Sequence, residues 1–101
     1  MFQGGTGIPY ENALYPQEYN QFLRDNVRKR DNYICQECEI TEKEHLISVR
    51  TILNCHHVDY DKKNNNINNL ITLCKSCNIK ANKNRKYWKK HYEERMLLNV
   101  L

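Results

Sequence analysis

The spacing of apolar residues predicts how the chain begins. Residues 1–16 contain all three glycines and both prolines, which predicts an irregular N-terminal arm. Over residues 17–30 the apolar side chains recur on one helical face, and basic residues gather at the C-terminal end, as a helix dipole favours. The apolar residues of that face are Tyr19, Phe22, Leu23 and Val27. Residues 46–58 are rich in β-branched side chains and predict one or two strands.

The second half of the chain alternates polar and apolar segments. The tract 59–69 is polar and rich in asparagine, which predicts a loop, and residues 71–73 then form a short strand that runs into a cysteine. From Ser76 the pattern becomes helical, with Ile79 and Ala81 expected inside. A further helical stretch covers residues 85–98. The pattern therefore predicts short strands flanked by helices.

Length and composition predict one small domain with a thin core. The chain has 101 residues, of which 40% are hydrophobic, and a chain of this size often needs a metal or disulfide to stabilise it. Its start resembles no signal peptide, and no apolar run reaches the roughly 18–20 residues of a membrane span. We therefore expect a protein of the cytoplasm of a bacterium or phage-infected host, where paired cysteines usually bind metal.

The cysteines predict a structural metal site. Two Cys-x-x-Cys pairs can supply four thiolates at tetrahedral reach, which suits zinc. These are Cys35 with Cys38, and Cys74 with Cys77. Two disulfides, or reduced thiols in the core, are the alternatives. The fifth cysteine, Cys55, is expected to be a small buried apolar side chain.

Two adjacent histidines and two asparagines lie around the second cysteine pair. Neighbouring residues of a strand point to opposite faces, so His56 and His57 are expected to play different roles. One can face a metal ion while the other faces water or a substrate. The amide oxygen of Asn78, in the first turn of a helix, can reach a hard cation.

Charge is distributed unevenly along the chain. Residues 1–54 hold six Lys/Arg and eight Asp/Glu, a net charge of −2, whereas residues 55–101 hold ten and four, a net charge of +6. Between Lys62 and Lys90 there are nine basic residues and no acidic one. Such a run can be a solvated face, but the aromatic residues within it favour a polyanionic partner.

These motifs together resemble those of the HNH endonuclease family. The family's order of His-His, Asn-Leu and Cys-x-x-Cys followed by His or Asn is matched by His56-His57, Asn69-Leu70 and the segment 74–78. The segment 28–38, RKRDNYICQEC, is similar to the family's basic lead-in and first cysteine pair. The resemblance extends over about residues 17–92. Within the family, the sequence is similar to small phage and homing-type members. It implies an α+β fold, a small zinc-stabilised ββα-metal domain with flanking helices, as one nuclease domain over residues 17–101.

The resemblance also implies an activity and roles for individual residues. It implies metal-dependent cleavage or nicking of DNA that leaves 5′-phosphate and 3′-hydroxyl ends. His57 would be the general base, and Asn69 would fix the loop that aims the His57 ring. His56 and Asn78 would hold Mg²⁺ or Mn²⁺, while the four paired cysteines would hold structural zinc. A homodimer, or a separate specificity or packaging partner, remains open.

This sequence departs from the common family pattern at two positions. Many members carry histidine at the positions of Asn78 and Asn82, and amide oxygens there favour Mg²⁺ or Mn²⁺ over softer metals. The alternative interpretation is a zinc-bound DNA-binding module without catalysis. The candidate phosphate contacts are Lys62, Lys63, Lys83, Arg85 and Lys86.

Overall fold

The computed structural model describes residues 20–100 and the side chains of residues 20–98, so the predicted arm and Tyr19 lie outside the described part. The fold is α+β, as predicted, with a two-stranded sheet and helices around it. The helices are α1 (Gln21–Arg30), α2 (Glu42–Ser48), α3 (Lys75–Ala81) and α4 (Arg85–Val100). The strands are β1 (Asn54–His57) and β2 (Leu70–Leu73), and a 3-10 turn covers Ile67–Asn69. No helix within residues 20–100 has the length and apolar character needed to cross a membrane.

The two strands form an antiparallel hairpin that carries both histidines. His56 lies opposite Ile71 and His57 opposite Leu70 in the register. Every residue of β2 is buried, so this strand is the centre of the small core. The strands, followed directly by α3, give the ββα order that the sequence predicted.

Helix α1 is attached to β2 by polar contacts at its C-terminal end. The Arg30 guanidinium donates to the backbone oxygens of Ile67 and Leu70, and it pairs with Asp31. The Asp31 carboxylate accepts the backbone N–H of Thr72 at 3.0 Å. The predicted apolar face of this helix is only partly buried, because Val27 is enclosed while the side chain of Phe22 is 76% exposed.

The prediction of strands over residues 46–58 is wrong in its first part. Residues 46–48 belong to α2, and only residues 54–57 form a strand. The cause is a capping box, in which the Thr41 hydroxyl accepts the Glu44 N–H and the Glu44 carboxylate accepts the Thr41 N–H. This local hydrogen bonding outweighs the strand preference of the β-branched residues that follow.

The core joins the sheet, the cysteines and α4. Tyr92 of α4 is fully buried and its ring stacks on Trp88, with 5.5 Å between the ring centroids. Ala81 is buried as predicted, but the prediction that Ile79 lies inside is wrong, because its side chain is 49% exposed. A helix of seven residues has one narrow inward face, and Cys77 and Ala81, four residues apart, occupy it.

Candidate active site and metal centre

The four paired cysteines converge on one point. The sulfur atoms of Cys35, Cys38, Cys74 and Cys77 all lie within 4.8 Å of one another. The Sγ atoms of Cys38 and Cys74 are 3.7 Å apart. A tetrahedral zinc ion with bonds of about 2.3 Å would separate its ligands by about 3.8 Å. The cluster therefore fits a closed four-thiolate metal site.

Two backbone turns orient these thiols. The N–H of Cys38 donates to the Cys35 sulfur, and the N–H of Cys77 donates to the Cys74 sulfur at 3.3 Å. Cys74 is also the N-cap of α3, so its sulfur both caps the helix and belongs to the four-sulfur cluster. The first pair is brought to the end of β2 by a hydrogen bond from the Gln36 N–H to the Thr72 carbonyl at 3.0 Å.

The pKa shifts of the thiols are consistent with a site that needs a bound cation to keep all four sulfurs deprotonated. Burial raises the pKa of the Cys77 thiol far above its ordinary value and also raises the pKa of Cys38. At Cys35 burial acts in the same direction, but backbone N–H groups, chiefly that of Cys38, outweigh it and lower the pKa. A bound divalent ion would provide the charge that keeps the other thiols deprotonated.

A second constellation of polar side chains lies in an open polar groove. It brings together residues from β1, the following loop, α3 and the start of α4. The groove is lined by Cys55, His56, His57, Tyr60, Lys62, Asn78, Asn82 and Arg85. Both histidines, the predicted ligand Asn78 and two of the predicted phosphate contacts thus share one surface.

His56 and Asn78 face each other across this groove. The His56 Nδ1 atom lies 2.9 Å from the Asn78 Oδ1 atom. Neighbouring ligands of an octahedral ion with bonds of 2.0–2.1 Å are about 2.9 Å apart, so the pair matches one edge of a Mg²⁺ or Mn²⁺ site. The same separation allows a hydrogen bond between the two atoms, which keeps them together when no ion is bound.

The surroundings of His56 favour a neutral ring. Its side chain is only 6% exposed, and its ring packs edge-on against Tyr60 and Tyr92. Burial lowers the pKa of His56, the hydrogen bond to Asn78 opposes this, and the charge of Arg85 adds to the lowering. A neutral imidazole is the form that binds a metal ion.

His57 has a different partner from its neighbour. Its Nε2 atom lies 2.8 Å from the Oδ1 atom of Asn65, in the loop between the strands. Asn69, at the end of that loop, accepts the N–H of Asp59 and donates to the Asp59 carboxylate and to the Asn64 carbonyl. Asn69 therefore joins the two ends of the segment that carries Asn65.

Comparison with known proteins agrees with this arrangement. The sequence profile of the HNH endonuclease family matches residues 35–84. This range includes all four clustered cysteines, the His56-His57 pair, Asn69 and Asn78. The chain belongs to the HNH endonuclease family. It is also similar to the Zorya protein ZorE of Escherichia coli, with 28% identity over 69 residues. That match covers 68% of this chain but 17% of ZorE, and no solved structure matches the chain.

The predicted phosphate contacts of the HNH domain are not equivalent in position. All five predicted basic side chains are exposed. Lys62 and Arg85 line the groove, and the Arg85 guanidinium lies over the Tyr60 ring, 4.8 Å from its centroid. Lys63, Lys83 and Lys86 do not belong to the groove lining.

Two groove residues of the HNH domain, Tyr60 and Cys55, and one partner of His57, Asn65, were not predicted from sequence as part of the site. Tyr60 supports both Arg85 and His56 through its ring, and its hydroxyl donates to the Ala81 carbonyl. Cys55 is half-buried and lines the groove, so the expectation of a buried apolar thiol is wrong. Asn65 contacts His57 but belongs to an asparagine-rich tract to which the sequence assigns no function. The spacing from His57 to Asn65 offers no signal, because a loop has no fixed period.

Proposed function

We propose that this chain is a divalent-metal-dependent endonuclease that cleaves DNA phosphodiester bonds and leaves 5′-phosphate and 3′-hydroxyl ends. The proposal builds on the family to which the chain belongs. The HNH domain indicates a protein that acts on nucleic acid. The observation that carries it is the groove. There, His56 and Asn78 have the spacing of two metal ligands, and they share one surface with His57 and two cationic side chains.

His57 is assigned as the general base. A neutral imidazole takes up a proton near neutral pH, which suits removal of a proton from an attacking water molecule. A positioned base of this kind contributes typically 10²–10⁴-fold to rate. Support for the assignment is the position of His57 on the groove, beside the proposed cation ligands.

His56 and Asn78 are assigned as ligands of the catalytic Mg²⁺ or Mn²⁺. Such an ion, when bound, stabilises the negative charge that develops on the phosphate oxygens and on the leaving oxygen. The two residues would hold the ion beside His57, because β1 carries both histidines and α3 carries Asn78. Arg85, held over the Tyr60 ring, provides positive charge at the rim of the same groove.

The four clustered cysteines are assigned to structural zinc. A closed four-sulfur site has no open position for substrate, so its contribution is to folding. Five exposed basic residues are assigned to sequence-independent phosphate contacts: Lys62, Lys63, Lys83, Arg85 and Lys86.

Nicking of supercoiled plasmid tests the proposal. Purified protein is incubated with plasmid in the presence and absence of Mg²⁺, and product ends are analysed by ligation and by phosphatase treatment. We expect Mg²⁺-dependent relaxed circles, and a loss of about 10²–10⁴-fold in His57→Ala. His91→Ala is the matched control, because His91 lies on α4 with its Nε2 atom 3.1 Å from the Glu37 carboxylate.

Two outcomes would contradict the proposal. DNA binding without cleavage under any divalent ion would favour the zinc-bound DNA-binding module. Cleavage that survives in His57→Ala at the wild-type rate would remove the assigned base.

A further inference from the structure

One amide of the loop between the strands faces the proposed base. The Asn65 Oδ1 atom lies 2.8 Å from the His57 Nε2 atom, and both side chains are half-buried. An amide oxygen only accepts hydrogen bonds, so this geometry requires a proton on Nε2. The neutral ring then carries its basic lone pair on Nδ1.

The loop holds Asn65 from both sides. The carbonyl of Asn64 accepts from Asn69 at 3.0 Å, and the Asn64 amide donates to the Asp59 carboxylate at 2.9 Å. The N–H of Asn66 donates to the Asn64 side-chain oxygen at 3.3 Å. The backbone on either side of Asn65 is therefore fixed before any substrate binds.

We propose that Asn65 is a positioning residue for His57, an inference that rests on the proposed nuclease function. By accepting the Nε2 proton, Asn65 fixes the orientation of the ring and selects the tautomer in which Nδ1 takes the proton from water. Asn69 acts on His57 only indirectly, because it fixes the loop that carries Asn65. Partners that orient a functional imidazole in this way typically change activity by about 10–100-fold when they are removed from metal sites.

Two substitutions of the same shape isolate the acceptor. Asn65→Leu removes the hydrogen-bonding oxygen, whereas Asn65→Asp keeps an acceptor and loses only the amide donors. We expect Asn65→Leu to lower kcat for plasmid nicking about 10–100-fold, with KM and the Mg²⁺ concentration for half-maximal rate unchanged within about twofold. Asn65→Asp should keep kcat within about threefold of the wild type, given the retained acceptor.

Asn68→Leu is the matched control, because Asn68 is an exposed amide of the same loop. Its kcat should equal that of the wild type. Thermal melts verify folding, and if Asn65→Leu melts early, Asn65→Ala removes the same acceptor without the added bulk. In the His57→Ala background, Asn65→Leu should cause no further loss of rate, because the two residues act as one unit.

The outcomes separate this inference from the function on which it rests. If the wild type does not nick DNA, or if His57→Ala nicks normally, the proposed function fails. If His57→Ala is inactive but Asn65→Leu keeps full kcat, only the role of Asn65 is refuted. Equal losses in Asn65→Asp and Asn65→Leu would refute the acceptor role, because Nε2 would then need a donor.

Discussion

Replacing Asn69 with alanine tests how the loop between the strands is held. The substitution removes three hydrogen bonds of 2.9–3.1 Å, which join Asn69 to both the backbone and carboxylate of Asp59 and to the Asn64 carbonyl. A net contribution of roughly 0.5–1 kcal/mol each, for a half-exposed site, gives a loss of about 2 kcal/mol. For a domain of this size, that loss lowers Tm by roughly 8–16 °C.

The assay is a thermal melt at saturating zinc, followed by plasmid nicking at a temperature where every variant is folded. Asn69→Ala should nick more slowly than the wild type even when folded, because the loop no longer fixes the Asn65 that faces His57. Asn68→Ala is the control, since exposed surface substitutions usually change stability by no more than about 0.5 kcal/mol. A Tm within about 2 °C of the wild type for Asn69→Ala would refute this account of the loop.

Four further predictions concern the metals, the acid stability and the DNA. Cys74→Ala should release zinc and lose its cooperative melt, whereas Cys55→Ala should keep both; a cooperative melt of Cys74→Ala without zinc would refute the four-cysteine site. His56→Ala should recover part of its nicking at high Mn²⁺, but His57→Ala should not, and an identical metal response of both would remove the distinction. Burial alone would raise the pKa of Asp59, but hydrogen bonds, chiefly from the amide of the asparagine five residues later, lower it. The resulting stabilisation should be complete above the ordinary Asp pKa of about 3.9 and be lost as pH falls through the lowered pKa, so acid melts of the wild type and Asp59→Asn should converge. DNA affinity should fall with salt at a log–log slope of about −0.9 per phosphate contacted, and a salt-independent affinity would argue against phosphate contacts.

The sequence predicted the parts of the fold that depend on local pattern and on metal-ligand spacing. The two cysteine pairs follow from spacing, and the strand that precedes Cys74 and the helix that follows it were predicted from the apolar pattern. The prediction over residues 46–48 failed because β-branched composition was weighed without the capping box that begins at Thr41. Ile79 was misplaced because a short helix has room for few inward positions.

The candidate site was predictable where the family motif or the run of basic residues marks it. His56, His57 and Asn78 belong to that motif, and all three line the groove. Asn65 does not, since its contact with His57 depends on how an eleven-residue polar loop folds back. Side-chain hydrogen bonds within such a loop decide its path, and many arrangements fit the same composition.

Consecutive residues of α3 serve the two metal centres. Cys77 belongs to the sulfur cluster, and Asn78, the next residue, faces His56. Under the proposed assignments, a newly synthesised chain cannot present Asn78 to the catalytic cation until the first turn of this helix has formed around zinc. The order of events is then fixed, with zinc loading before nuclease competence. Under the same assignments, a chain that has lost its zinc would lack both the folded helix and the ability to cut DNA, whatever the concentration of the catalytic cation.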